Sequence, residues 1–569
     1  MGGYAEFDSN GKTKSFSSLR SWIYNRVFVI GFKLYFSSDS YIDSRETFGY
    51  TFIIARTSAF MIHVNTAFVL LPVCRNLITL LRRTPLNYII SFDHNLSFHK
   101  ILGWTIVVFS LLHTAAHYRN YYLLYKSTHG EVSLIYLLAA SGPSWTGHLM
   151  LLCLALIAIP AIDVLRRKNF NTFWYLHHFF FLYFALFSIH GAFCLLKRAE
   201  PPYCSKGAVF WKYYLVSGVI YLLERISREY RGSRGNTGTI NKVVLHPSHV
   251  IELQIKKNLL ERSKPGQYIF INCPAVSLNE WHPFTLTSAP EEDFYSVHIR
   301  VVGDWTKSLT SVLGIDDLNI KLPQNNTQLL SGARASKYTN HENARKSRFI
   351  SLKNVVLPEL MIDGPFGSAS EDAFKHEVVM LFGSGIGVTP FASVLKSMWY
   401  RFNLPGHRQR LKKVYFIWTQ KDASSFEWFQ DLLQAIEDEE EYTDLDSSAS
   451  SFSGEFSNVS FDNVSRRGKF IDMRIHITAK FTSDQIQNLV LNDSEGHKDA
   501  ITNLRTPTYF GRPNLEKIFK EVATNHPGAD VGVFFCGPTS MGLDIKSCSN
   551  KFTSKSTTGT RFTYKHENF

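Results

Sequence analysis

The feature that most constrains this 569-residue chain is a repeated pairing of histidines inside membrane-length apolar stretches. His99 and His113 lie fourteen residues apart within Phe98–Tyr125, and His177 and His190 lie thirteen apart within Phe173–Leu196. A polar ring in hydrocarbon costs free energy unless it is paired or coordinated, so intramembrane histidines mark function. With a rise of about 1.5 Å per residue, each pair spans about 20 Å of its helix. Four imidazoles at two depths, shared between two helices, are the ligands that two stacked bis-histidine haems require. Buried histidines bonded to helix carbonyls, or a proton relay, are the competing readings. For the quartet, haem is favoured.

Helical phase supports one pair and leaves the other open. Fourteen residues return to within about 40° of the same face, whereas thirteen leave His177 and His190 about 140° apart on an ideal helix. His178 fits little better, so a bend or π-bulge is required, and spacing does not choose between His177 and His178.

Charge gives direction. The formal net charge of +13 is concentrated beside apolar segments, at Arg82-Arg83, at Arg166-Arg167-Lys168 and at Arg225, Arg228, Arg231 and Arg234. That placement marks cytoplasmic loops rather than nucleic-acid binding. Six spans are expected: Trp22–Phe36 (short, with Arg26 and Lys33), Phe52–Leu81, Phe98–Tyr125, Leu149–Leu165, Phe173–Leu196 and Val209–Leu223. An even count with an Arg-rich exit puts both termini in the cytoplasm, and the polar start lacks a cleavable signal. His99 and His177 then form an inner-leaflet pair, and His113 and His190 an outer one. His117, one turn beyond His113, and Arg56, a lone charge in the second span, read equally as structural groups or as the lining of an outer pocket for an electron acceptor. The seven cysteines show no zinc spacing. Cys194 and Cys204 flank the predicted outer loop, where an oxidising compartment permits a disulfide.

After the basic linker Arg225–Gly238 the pattern becomes that of a soluble protein. Val243–Ile255 and Tyr268–Cys273 alternate as strands do, and Lys264–Gln267 reads as a turn, which suits a small antiparallel barrel. From Val378 onward apolar strands alternate with helices, the mark of a doubly wound parallel sheet. The strands are Val378–Phe382, Val414–Trp418 and Val531–Phe535, with helices at Thr389–Tyr400 and Ser425–Glu437. Two inserts, Gln324–Asn354 (polar and basic) and Asp438–Arg467 (acidic and Ser-rich), read as surface loops or regulatory sites, the second as disordered.

Two constellations carry cofactor chemistry here. His282-Pro283-Phe284-Thr285 with Arg300 supplies the ring surface, hydroxyl donors and cation that a flavin dinucleotide needs. Gly383-Ser384-Gly385-Ile386-Gly387-Val388-Thr389-Pro390, between strand and helix, lets backbone N–H groups approach a pyrophosphate, though without the usual dinucleotide spacing. Cys536 and Gly537 end a later strand at the same sheet edge. Arg512 and Lys421 are cations able to meet a ribose 2′-phosphate, which favours NADPH.

Together these segments resemble the NADPH oxidase family, specifically its phagocyte-type large flavocytochrome subunit, almost end to end. The carrying motifs are Leu71-Pro72-Val73-Cys74-Arg75-Asn76-Leu77, Phe98-His99-Lys100, Phe173-Trp174-Tyr175-Leu176-His177-His178, Trp281–Pro290, Gly303-Asp304-Trp305-Thr306, Asp363-Gly364-Pro365-Phe366-Gly367, Phe382–Pro390 and Glu567-Asn568-Phe569. The resemblance implies a six-helix transmembrane bis-haem bundle over 22–224 following a cytoplasmic segment, 1–21. It implies an FAD-binding antiparallel barrel over 239–365 and a doubly wound NADPH-binding domain over 376–569, like those of ferredoxin-NADP reductases.

By the same likeness the haem ligands fall on His99, His113, His177 and His190, and the oxygen-reducing pocket on Arg56 and His117. The FAD site falls on His282, Pro283, Phe284, Thr285 and Arg300, with Trp305 and Thr306 beside it and Phe569 near the flavin ring. The NADPH site falls on Gly383, Gly385, Gly387, Thr389, Pro390, Arg512, Cys536 and Gly537. At Lys421 close relatives carry arginine, and lysine keeps the charge without the bidentate fork. The implied activity is transfer of electrons from cytosolic NADPH to O2 across a plasma membrane or endomembrane, with a ferric-chelate reductase as the nearest alternative. A small membrane subunit, cytosolic activators and a Rac-like GTPase are the implied partners. No EF-hand extension precedes the first span, so direct calcium control is not expected.

Overall fold

The computed structural model describes residues 16–88, 92–193, 207–234, 237–246, 249–257, 263–315, 357–402, 410–421, 429–437, 470–478 and 504–567, less positions 431, 555, 557 and 558, together with 90, 499 and 502. Cys194, Cys204, Phe569 and both inserts lie outside the described residues. Two compact units are formed, Met1–Ser227 and Arg228–Phe569.

The principal helices of the first part are α1 (Phe16–Ser37), α2 (Tyr50–Phe68), α3 (Asn95–Ser127), α4 (Gly142–Ala158), α5 (Phe170–His177), α6 (Phe180–His190) and α7 (Trp211–Arg234). Among the described residues, three stretches are long and apolar enough to cross a membrane: Tyr50–Val73, Phe92–Ser127 and Phe170–His190. Gly142–Ala158 is a shorter apolar helix. Ile62, Ile106, Leu154, Tyr183, Leu186 and Phe187 form the buried centre of the bundle.

Prolines set the boundaries that apolar runs alone misplace. The second span, expected to run from Phe52 to Leu81, stops near Phe68. Pro72 sits in a 3-10 turn, Leu71–Val73, before a separate helix Arg75–Arg82, because proline offers no N–H to continue the ladder. The fourth begins at Gly142 with Pro143 in its first turn and ends at Ala158, two residues before Pro160, which has no N–H with which to continue the ladder.

The second unit holds an antiparallel module with strands β1 (Thr237–Gly238), β2 (Ile240–His246), β3 (Val250–Lys256), β4 (Tyr268–Asn272), β5 (His282–Thr285), β6 (Phe294–Arg300) and β7 (Leu360–Phe366). Two sheets, β2-β3-β6 and β1-β7-β4-β5, share one core of Ile251, Leu253, Ile269, Val297 and Trp305. The bridge Leu286–Val297 joins them. Asp363, in β7 and 2% exposed, accepts from Arg228 Nε at 2.6 Å and Arg231 Nη2 at 2.9 Å.

A six-stranded parallel sheet follows: β8 (Val378–Ser384), β9 (Lys413–Gln420), β10 (Ile471–Ile477), β11 (Thr508–Phe510), β12 (Asp530–Cys536) and β13 (Arg561–His566), in the order β11-β10-β9-β8-β12-β13. Its strands are apolar on both faces. Val379, Leu381 and Phe416 enter one core while Val378, Met380 and Ile417 enter the other, as a sheet covered on both sides demands. The strand order reverses between β8 and β12, the switch point at which such sheets bind ligands.

Candidate functional site

Each histidine of the quartet has its Nδ1 engaged. His99, His113 and His177 donate from Nδ1 to the carbonyls of Val69 (2.8 Å), Ala55 (2.9 Å) and Ile157 (3.3 Å). Carbonyls only accept, so the proton must sit on Nδ1 and the lone pair on Nε2. His190 Nδ1 lies 2.8 Å from the Thr146 hydroxyl, which itself donates to the Gly142 carbonyl at 2.7 Å. Fixing one ring nitrogen in this way orients the other as a ligand.

The rings meet in pairs. His99 faces His177 with ring centres 6.1 Å apart, and His113 faces His190 at 6.4 Å. With metal–nitrogen bonds of about 2 Å, rings on opposite sides of one metal should stand roughly 6.3 Å apart. The residues therefore fit two bis-histidine centres. His178, which spacing could not distinguish from His177, is exposed and donates to the Trp174 carbonyl of its own helix. The helix breaks after His177, and α6 restarts at Phe180. That break removes the 140° phase difference of an unbroken helix.

Arg56 and His117 line the cavity that also contains His113 and His190. The His117 ring centre is 4.5 Å from that of His113. The Arg56 guanidinium lies over the Tyr35 and Tyr41 rings at 5.2 and 5.7 Å. Arg56 Nε and His117 Nδ1 are buried without a hydrogen-bond partner among the described residues, a costly state unless a ligand completes them. A residue that the sequence reading missed, His63, joins them. It lines the same cavity and stacks on Tyr213 at 4.0 Å. A further histidine in an apolar span was the signal available.

In the antiparallel module, β5 carries His282, Pro283, Phe284 and Thr285. Among the described residues it is an edge strand, paired with β4 alone, where proline is tolerated. The His282 ring is 4.2 Å from that of Trp305. Burial pushes the His282 imidazole below its usual pKa, opposed by Glu280. Trp305 Nε1 is buried and unpartnered among the described residues. Arg300 ends β6 exposed and makes no ion pair among them. Thr306, in helix α8 (Asp304–Val312), accepts from the N–H groups of Val302 and Gly303. An aromatic and imidazole wall, a free cation and a helix start suit a flavin dinucleotide.

At the switch point, Gly383 of β8 pairs in register with Cys536 of β12. The turn Gly385–Val388 leads into α9 (Thr389–Phe402), with Pro390 in its first turn. Gly385 has φ +59, and a Cβ on Gly387 would stand 2.5 Å from the Cys536 carbonyl. Gly387→Ala should therefore displace this loop, at a cost of about 1–3 kcal/mol, and raise the KM for nicotinamide nucleotide; unaltered binding would show that the loop is not the cradle. A Cβ on Gly537 would meet Ser384 at 2.7 Å. Burial raises the Cys536 thiol pKa, keeping it a neutral wall. Lys421 and Arg512 follow β9 and β11 at the same sheet edge, both exposed, roughly 10 Å apart across one intervening strand. β13 brings the chain end to this edge, where buried Glu567 accepts from Ser370 N (2.6 Å) and Oγ (2.5 Å).

Three family models match successive parts of the chain: "Ferric reductase like transmembrane component" over 59–188, "FAD-binding domain" over 236–370 and "Ferric reductase NAD binding domain" over 376–550. The chain is 35% identical to a superoxide-generating NADPH oxidase heavy chain of Dictyostelium discoideum, over 95% of this chain and 94% of that one. It is 32% identical to NADPH oxidase 1 of Mus musculus (97% and 93% covered) and 32% identical to NADPH oxidase 3 of Homo sapiens (95% and 96%).

Proposed function

The chain belongs to the NADPH oxidase family, and we propose that it is a multi-pass membrane enzyme that uses FAD and two b-type haems to make superoxide from NADPH and O2. The observation that carries this reading is the two facing histidine pairs, each ring held through Nδ1. When bound, the flavin takes a hydride from NADPH and the haems carry single electrons across the membrane.

His99 and His177 hold the inner centre and His113 and His190 the outer one. With two imidazoles available to each haem, the centres would supply single electrons, and dioxygen would be reduced beside them in the cavity that Arg56 and His117 line. Arg56 and His117 offer N–H groups and positive charge to the anion that develops. His282, Pro283, Phe284, Thr285, Trp305 and Thr306 seat the flavin, and Arg300 meets its pyrophosphate. Gly383, Gly385, Gly387, Thr389, Pro390, Cys536 and Gly537 cradle the NADPH; Phe569, outside the described residues, is assigned to the flavin site by the family resemblance alone. We read the bundle as six-pass with both termini cytoplasmic, and the two antiparallel sheets as halves of one barrel. A small membrane subunit, cytosolic activators and a Rac-like GTPase are the expected partners.

Arg512 and Lys421 address the 2′-phosphate. Arg512→Ala should raise the KM for NADPH about tenfold, the worth of one charge-assisted bond, and leave that for NADH unchanged. Equal effects on both nucleotides would remove Arg512 from this role.

The ferric-reductase match supports a second reading, reduction of external iron chelates. In vesicles carrying the protein, reduction of an external dye should be abolished by superoxide dismutase. Iron reduction that persists without oxygen and ignores the dismutase would establish the reductase instead.

A further inference from the structure

The flavin strands and the nucleotide cradle are joined by contacts that belong to neither site. The loop Leu286–Asp293 connects β5, which carries His282 and Thr285, to β6, which ends at Arg300. Helix α9 starts at the cradle and packs Phe391, Val394, Leu395 and Met398 into a core of the parallel sheet. Its other side presents Ser393, Lys396, Ser397 and Arg401, whose spacing aligns them along one helix face.

Loop and helix meet along that face. The Ser393 hydroxyl donates to the Ser288 carbonyl at 2.7 Å, both residues being buried. Lys396 Nζ lies 3.3 Å from Glu292 Oε1. Glu291 Oε1 accepts from Ser397 Oγ at 2.9 Å and faces Arg401 Nε at 3.4 Å. The acids stand on the loop and the bases on the helix. The loop is itself braced: Glu292 Oε2 accepts from the Ala289 N–H at 2.6 Å, and Lys257 Nζ donates to the carbonyls of Pro290 (2.8 Å) and Glu292 (3.1 Å). Both ion pairs are largely shielded from solvent, so salt and water weaken them less than they would a surface pair.

We propose that Glu291 and Glu292 are positioning residues: they clasp α9 and so fix the nucleotide cradle against the flavin strands. The inference rests on the oxidase reading, which makes NADPH the hydride donor and FAD the acceptor. Donor and acceptor atoms must approach to about 3–3.5 Å, and a displacement of about 1 Å can slow such a step as much as a hundredfold. The cradle belongs to the parallel sheet and the flavin residues to the antiparallel module, so contacts between the modules set that approach. Each nucleotide needs only its own module to bind. The clasp therefore acts on transfer rather than on affinity.

Full-length protein holding FAD, mixed anaerobically with NADPH in a stopped-flow instrument, reads the step as bleaching of the flavin. Glu292→Gln and Lys396→Met should each slow bleaching at saturating NADPH about fivefold, with FAD content and the half-saturating NADPH concentration within about twofold of the parent. Both changes remove one contact, so the double variant should be no slower than the slower single one. Glu291→Gln, which spares the Ala289 bond, should act in the same direction. Before NADPH is added, amide exchange over Ser288–Asp293 should quicken in each variant. A lowered unfolding temperature with an unchanged rate at saturation would mean mere stabilisation and overturn the clasp. So would effects that multiply fully in the double variant. If NADPH fails to bleach the parent, the oxidase reading falls and this inference with it; if it bleaches parent and variants alike, the clasp alone falls.

Discussion

A His113→Leu chain is expected to purify with about half the haem of its parent and to make no superoxide. Leucine keeps helix propensity and approximate volume, so α3 should persist. What disappears is the imidazole whose ring centre lies 6.4 Å from that of His190. His117 is too close to His113, with ring centres 4.5 Å apart on the same helix, to reproduce the opposing geometry. FAD content should be unaltered, because the flavin residues lie in the second unit. Reduced-minus-oxidised spectra with haem-to-protein stoichiometry read the outcome directly, and unchanged haem content would refute the ligand assignment.

The second large effect is expected at Asp363. Its carboxylate is almost wholly buried and takes hydrogen bonds from two arginines. Arg228 also lies over the Phe270 and Phe366 rings. Removing one partner of a buried pair leaves the other's charge uncompensated, so Asp363→Ala should cost about 3–5 kcal/mol. For a unit of this size that lowers the unfolding midpoint by on the order of ten degrees. Asp363→Asn keeps one acceptor and should fall between. Flavin fluorescence released on heating reports the midpoint, and a value within about one degree of the parent would mean that the arginines are satisfied elsewhere.

The two halves of the chain were unequally legible. Histidines in apolar spans stand out because hydrocarbon penalises them, and basic loops stand out because orientation depends on them. The choice between His177 and His178 did not, since any count along an ideal helix assumes an unbroken one. The turn at His178–Phe179 leaves no mark in hydropathy. Span ends failed in a related way: apolarity continues through Pro72 while the helix does not. In the second unit, β8, β9 and β12 were readable as apolar strands before glycine turns or helices. β10 (Ile471–Ile477) is not among the strands expected from sequence: Asp472, Arg474 and His476 interrupt its apolar run, although Ile471, Met473, Ile475 and Ile477 are buried. The Arg228–Asp363 pair links positions 135 apart, a distance over which sequence carries no local signal.

The break between α5 and α6 has a consequence for anyone building such a bundle anew. Two straight helices must both carry their ligands at nearly whole-turn spacing, which restricts the sequence on each. One straight helix and one jointed helix relax that demand: the joint absorbs the mismatch, and the straight partner sets the distance between the two centres. Here α3 is the ruler. A single-residue insertion in α3 between His99 and His113 should therefore disturb both centres, while the same insertion at the joint leaves room for each half-helix to settle separately.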